Sequence, residues 1–294
     1  MKGKVGIIQF LLKKIDTYWP LIKSLQTGLL LSTGIAGYMS ARCPVVHLPT
    51  LSGLVVSLFL AISGSTVLNM WYDRDIDARM ARTANRPLPT GMVHPKEALV
   101  LGLVLSVLGV GLALRMHVVY GLVVFAGLFF DVVVYTVWLK RRTCWSIVWG
   151  GISGGMPILA GRTLGVGHID WIGVVLATGV LFWIPTHILT FSMRFYEDYL
   201  LAGVPTFPST YGFAFTRVVI VVSSILAAIM MGVAAYGIGM EMGFLRLLGV
   251  LSTGLLLMSI VTLVRPSERA NFGLFKYASL YMLSAMVLLM IWSP

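Results

Sequence analysis

Apolar positions run along this chain in unbroken blocks of about twenty, the length a helix needs to cross the hydrocarbon core of a bilayer. Short stretches between the blocks hold almost all of the charge. The pattern predicts nine spans, at roughly 21–41, 51–71, 97–114, 118–138, 147–166, 171–193, 217–238, 244–264 and 273–292. The alternating ten-residue pattern of a transmembrane barrel strand is absent from these runs, and only helices or closed barrels satisfy backbone polar groups in lipid. The expected fold is therefore all-α: a polytopic membrane protein of about nine transmembrane helices around a central cavity, read as a single domain over 1–294. Residues 1–20 are basic and amphipathic without a small-residue cleavage site, which predicts a segment lying on the membrane surface rather than a signal peptide.

Composition sharpens this picture at one point. The chain carries a formal net charge of +11, yet its Lys and Arg lie between apolar spans rather than in one soluble domain, so nucleic acid is not an expected partner. All of the 22 Lys and Arg except Arg42, Arg115, Arg162 and Arg246 fall on one side of the predicted topology. By the positive-inside rule the N-terminus and the loops after spans two, four, six and eight are cytoplasmic, and the C-terminus lies outside. The two longest of these loops, 72–96 and 194–216, follow spans four helices apart. They are expected to face each other over the cavity as an internal duplication places them. Cys43 and Cys144 are too few for a metal cluster or disulfide framework. Gly150, Gly151, Gly154, Gly155 and Gly232 read as packing positions.

The chemistry is concentrated in the first loop, NMWYDRDIDARMARTANRPLPTG from Asn69 to Gly91. Asn69, Asp73 and Asp77 are spaced i, i+4, i+8, which places their oxygens in one column on one helical face. Such a column suits Mg2+, which takes one or two carboxylates and fills its shell with phosphate oxygens and water. Asp75 falls off the column. The second loop supplies Glu197 and Asp198, with Asp198 the first choice for a second metal. Arg74, Arg79, Arg82, Arg86, Lys140, Arg141 and Arg194 provide the positive complement for a phosphorylated substrate. Asp131 lies inside the fourth span, with Tyr135 one turn on. It either positions a catalytic Lys or Arg or is protonated and hydrogen-bonded. His187, one turn before the second loop, is a base, an acceptor contact or a structural residue.

The first loop resembles the Asn-x-x-x-Asp-x-x-x-Asp signature of the intramembrane prenyltransferases of the UbiA type. DRDIDARMARTANRPLPTG, YTVWLKRRT, GGISGGMP and EDYLLAGVPTFP are most similar to the heme O synthase branch. The resemblance implies Mg2+-dependent transfer of a prenyl group from a polyprenyl diphosphate to a hydrophobic acceptor: farnesyl to heme B, giving heme O. Asn69, Asp73, Asp77 and Asp198 would stand near the metals, with Tyr135 and His187 near the prenyl chain or acceptor. Where the branch carries Trp-Gln-x-Pro-His, this chain reads Trp183-Ile184-Pro185-Thr186-His187, and Ala202 stands where many relatives have a second Asp. Rival acceptors are a quinone precursor, a chlorin or a glyceryl phosphate lipid. A secondary transporter is the rival from another class, and it would release no diphosphate.

Overall fold

The computed structural model describes residues 16–41 and 46–291; most of the amphipathic N-terminal segment, Arg42 and Cys43 lie outside them. Among the described residues the long helices are α1 (Ser24–Met39), α2 (Leu48–Tyr72), α3 (Pro95–Met116), α4 (Val118–Leu139), α5 (Ser146–Val166), α6 (Trp171–Arg194), α7 (Phe207–Ile238), α8 (Met242–Val264) and α9 (Glu268–Ile291). No strand is present among them. Seven are long and apolar enough to cross a membrane. The two that fall outside this measure occupy the first and fifth predicted spans. Helix α1 has only 16 residues, and α5 is diluted by its glycines and Arg162.

Helix boundaries follow local signals. His94 caps α3 through Nδ1, which accepts from the Lys96 N–H, with Pro95 at the first position. Asp170 caps α6 by accepting from the Gly173 N–H at 2.9 Å. Thr206 and Ser209 form a capping box that starts α7 at Phe207, well inside the stretch expected as loop 194–216. The kink at Gly212, whose φ is +80°, lets that early start coexist with the rest of the span. The remaining loop holds a short helix, Tyr196–Leu201.

Helices α2 and α3 form one extensively packed pair and α6 and α7 the other, consistent with repeated halves, while α1 packs on α2, α5 and α9 and joins them. Small residues set the closest approaches. A Cβ on Gly161 would fall on the Gly34 carbonyl, and one on Gly37 would fall on the Ile158 carbonyl, so α1 and α5 are in backbone contact. Gly155 meets the Ala177 carbonyl in the same manner. Gly232 does not: it faces open space, so its place in α7 owes nothing to a neighbouring helix.

Two features of this frame carry the site. The C-terminal half of α2, from Ser63 to Met70, is buried on every side. The second half of α4, Phe130–Leu139, is a π-helix, a form that recurs at functional sites because its i→i+5 bonds change which side chains share a face. Here the Lys140 N–H bonds the Tyr135 carbonyl, and Thr136 Oγ donates to the Asp131 carbonyl at 2.7 Å.

Candidate active site

Helix α2 ends at Tyr72, and Asp73 leaves helical geometry with φ −90° and ψ 9°. The column nevertheless continues. The Asp73 N–H bonds the Asn69 carbonyl at 2.9 Å, and the Asp77 N–H bonds the Asp73 carbonyl at 2.8 Å, so the i, i+4 spacing survives into the short helix Arg74–Asp77. All three residues are buried. Buried acids are costly unless paired, and each residue of the column meets a cation, two of them from distant parts of the chain. Lys23 Nζ donates to Asn69 Oδ1 at 3.2 Å. Lys140, just past the π-helix, pairs with Asp73. Arg86, nine residues on in the same loop, meets Asp77 Oδ2 at 2.7 Å. Asn69 is fixed on its other side, where Nδ2 donates to Thr136 Oγ1 at 2.8 Å.

Asp75 behaves as its position off the column predicts. It is half exposed and takes two hydrogen bonds from Arg141, at 2.7 and 2.8 Å. Those bonds hold its pKa below the usual carboxylate range, against the opposing effect of desolvation. The Arg141 fork also stands 3.6 Å from Asp73 Oδ1, beyond hydrogen-bond distance. For Lys140, burial opposes the charge, but Tyr135 and Asp73 more than reverse it and push the pKa up. Lys23 has no such excess of acid around it. Arg86 and Lys140 stand near it instead.

Lys23 is the member of this cluster that sequence reasoning misses, since along the chain it reads only as a topogenic cation. Its φ of +46° makes it the one described non-glycine residue in the left-handed region, at the junction between the Trp19–Ile22 turn and α1. A strained junction of this kind is a signal only in three dimensions.

The acidic column tests well as a Mg2+ site. Asp73 Oδ1 is buried and has no hydrogen-bond partner, so an oxygen lone pair already faces the site unused. Among the described residues no three His, Cys, Asp or Glu converge on one point. Asn69 Oδ1, with phosphate and water oxygens, would have to complete any coordination shell, which is the donor set Mg2+ favours.

The second loop reaches the same end of the molecule. Ile76 and Met80 of the first loop pack with Tyr199, Ala202 and Val204 of the second. Ala81 and Arg82 line one cavity of about 800 Å³ together with Glu197 and Asp198. Asp198 is half-buried in that cavity and Glu197 is exposed. The cavity lining does not include Asp73 or Asp77, so the acids of the two loops are neighbours without sharing one pocket. Arg194 also lines the cavity. Arg74 is turned aside, donating to the Trp71 carbonyl at 2.7 Å, and Arg79 is exposed.

Below the loops, Asp131 accepts a hydrogen bond from Ser65 and stands one turn from Tyr135, whose ring lies 5.6 Å from Lys140 Nζ. His187 is sandwiched between Trp183, at 4.9 Å, and Phe275 of α9, at 4.5 Å, with both rings nearly parallel to it. Its Nδ1 is 3.2 Å from Ser279 Oγ.

Comparison with known proteins identifies the fold that carries this site. The UbiA prenyltransferase family matches residues 30–290. The chain belongs to that family. Among curated relatives, the protoheme IX farnesyltransferase of Pyrobaculum arsenaticum is 37% identical over 269 residues, covering 90% of this chain and 95% of the relative. That of Archaeoglobus fulgidus is 43% identical over 201 residues, 68% of this chain and 70% of the relative. Among solved structures, a digeranylgeranylglyceryl phosphate synthase superposes with a TM-score of 0.79 at 20% identity, covering 96% of this chain and 99% of that one. A UbiA homologue from Archaeoglobus fulgidus bound to GPP and Mg2+ gives 0.70 at 16% identity, with 94% and 99% covered. At such identities these structures speak for the fold alone. This UbiA-family chain therefore keeps the family's frame, with its column of acids buried at the end of α2.

Proposed function

We propose that this UbiA-family prenyltransferase transfers a farnesyl group from farnesyl diphosphate to protoheme, with Mg2+ at the Asn69–Asp73–Asp77 column and at Asp198. The observation that carries the reading is the buried column itself. Three oxygens at i, i+4, i+8 are each matched to a cation, and one carboxylate oxygen is left unpartnered inside the protein. The relatives' names supply the farnesyl donor and the protoheme acceptor.

When bound, Mg2+ would supply the positive charge that stabilises the departing diphosphate. The chain's own part is distributed around it. Lys23, Lys140, Arg86 and Arg141 stand against the column and can turn from its oxygens to those of the phosphates, so the displaced cations gain new partners as the acids gain metal. Fixed donors of this kind, aimed where charge accumulates in a site shielded from water, lower the barrier most. Trp183, His187, Phe191 and Phe275 form an aromatic wall able to shelter the allylic cation and exclude water. Asp131, tied to Ser65, adds a polar carboxyl group one turn from Tyr135. The two loops and the N-terminus belong on the cytoplasmic side and the C-terminus outside, as the Lys and Arg bias indicates.

Purified protein given Mg2+, farnesyl diphosphate and protoheme should release diphosphate and yield a farnesylated porphyrin by mass. Chelation of the divalent metal should stop both. Diphosphate release without a porphyrin product, and product formation with a quinone precursor, chlorin or glyceryl phosphate in place of protoheme, would reassign the acceptor. Transport of farnesyl diphosphate without its cleavage would remove the enzyme reading.

A further inference from the structure

Several basic residues of the cytoplasmic end fall into two sets. Lys23, Arg86 and Lys140 are bound to the acidic column, and Arg141 is held by Asp75 beside it. Arg82, Arg194 and Arg217 are not. They line the cavity of about 800 Å³ between the second loop and the starts of α7 and α9. Among the described residues no carboxylate lies within 4.0 Å of any of them, although Glu197, Asp198 and Glu268 share the same lining.

Aromatic faces hold these guanidinium groups instead. Arg82 sits 5.0 Å from the Phe191 ring centre, Arg194 sits 3.8 Å from Phe272, and Arg217 sits 5.8 Å from Phe213. A guanidinium stacked on a ring is positioned without spending its in-plane N–H donors, which stay free for a planar, bidentate acceptor. A carboxylate has that shape. Beneath Arg82 aromatic contacts continue into the membrane: Phe191, then Phe275 tilted against it at 5.7 Å, then His187 and Trp183 stacked on Phe275 in turn. A second mark of an incomplete site is Asn271 on the cavity wall. Its Nδ2 donates to the Thr190 carbonyl at 2.8 Å, leaving Oδ1 buried and unpartnered, in want of a polar ligand or the water it carries.

A charged donor cluster at the mouth, opening onto a ladder of flat apolar rings, fits a large planar molecule with carboxylates at one edge. We propose that the cavity is the acceptor's carboxylate cradle. Arg82, Arg194 and Arg217 bind the two propionate groups of the porphyrin while its ring lies along the α6–α9 wall. This inference rests on protoheme being the acceptor. It takes Arg82 and Arg194 out of the diphosphate set and adds Arg217, which the sequence offered only as a topogenic charge.

The test uses the full-length protein in detergent. Protoheme binding is followed by its Soret absorbance, and KM is measured separately for protoheme and farnesyl diphosphate, in wild type, Arg217→Gln and Arg82→Gln. Losing a charge-assisted hydrogen bond to carboxylate should weaken protoheme binding about tenfold or more, leaving the KM for farnesyl diphosphate within about twofold. Wild type should bind protoheme dimethyl ester at least as weakly as Arg217→Gln binds protoheme, and the variant should distinguish acid from ester by a smaller factor than wild type does. Arg217→Lys should recover part of the loss, which a folding defect would not show. Unchanged protoheme binding in both Gln variants overturns the cradle while wild-type turnover of protoheme keeps the acceptor reading intact. Weakened farnesyl diphosphate or inorganic pyrophosphate binding instead makes the cluster a diphosphate clamp. Wild type that neither binds nor farnesylates protoheme overturns the acceptor reading, and the cradle with it.

Discussion

Replacing Asp73 with Asn should do two separable things. Its side chain is 2% exposed and pairs with Lys140, itself 15% exposed, so the variant leaves a buried ammonium facing a neutral amide. Removing one partner of a buried pair costs ~3–5 kcal/mol, chiefly through the uncompensated charge left behind. The neutral amide can still accept from Lys140, and the Tyr135 ring lies 5.6 Å from Nζ. Both place the expected loss near the lower end, at about 3 kcal/mol. Adding Lys140→Met removes the stranded charge and should bring stability back to within about 1 kcal/mol of wild type, since an ion pair and an apolar replacement often balance. Activity should not return. A missing metal-facing carboxylate sacrifices several kcal/mol of transition-state stabilisation, on the order of a thousandfold in rate, and Met cannot restore it. Denaturation in mixed micelles reads the first effect and diphosphate release the second. Asp73→Asn as stable as wild type refutes the buried pair. Recovery of turnover in the double variant refutes the catalytic role of the column.

Three further outcomes follow from individual contacts. Asp75→Asn should reduce turnover less than about tenfold, since it frees Arg141 without touching the column, and a loss as deep as that of Asp73→Asn would show that the exposed acid is a ligand. Gly161→Ala should destabilise the protein by ~1–3 kcal/mol, because its methyl would fall on the Gly34 carbonyl and force α1 from α5. An unchanged unfolding midpoint in micelles would contradict that backbone contact. At the opposite end, burial disfavours the Asp170 charge, but the Arg162 guanidinium and the Gly173 N–H overcome it and hold the carboxyl below its usual range. A depressed folded-state pKa contributes stability above the unfolded value near 3.8 that is lost as the pH falls through the folded one. The midpoint of wild type should therefore drop with acid below about pH 4, and that of Asp170→Asn should start lower and show a shallower fall over the same window.

The helices were legible because lipid imposes one rule on every span: length and apolarity suffice, whatever the neighbours are. The same rule leaves α5 ambiguous. Its glycines serve α1 and α6 by letting backbones touch, and that service lowers its hydropathy. The acidic column was legible for another local reason. The i, i+4 ladder that aligns Asn69, Asp73 and Asp77 is continued by backbone hydrogen bonds through the helix break, so spacing along the chain maps directly onto spacing in space. What spacing could not report is which cation meets which acid. Lys23 and Asn69 are 46 residues apart, and Lys140 and Asp73 are 67 apart.

The basic residues show where local reading stops. Read along the chain, Arg82 and Arg86 are one helical turn apart in the same loop and look interchangeable. In three dimensions Arg86 turns onto Asp77, while Arg82 rests on Phe191 of α6. The π-helix adds a second divergence. Its i→i+5 bonds bring Asp131 to Thr136 and Tyr135 to Lys140, and through them Thr136 reaches Asn69 and Lys140 reaches Asp73. An ordinary α-helix would offer different partners to the column. One cluster of cations thus faces the buried acidic column, and the other rests on aromatic rings in the cavity that Asp198 also lines. A single electrostatic demand could have been met by one cluster, so the separation itself argues for two anionic ends. On the proposed reading one is the diphosphate, which departs with the electron pair of the broken C–O bond, and the other is the carboxylate edge of the acceptor, which has to be held while the new bond forms.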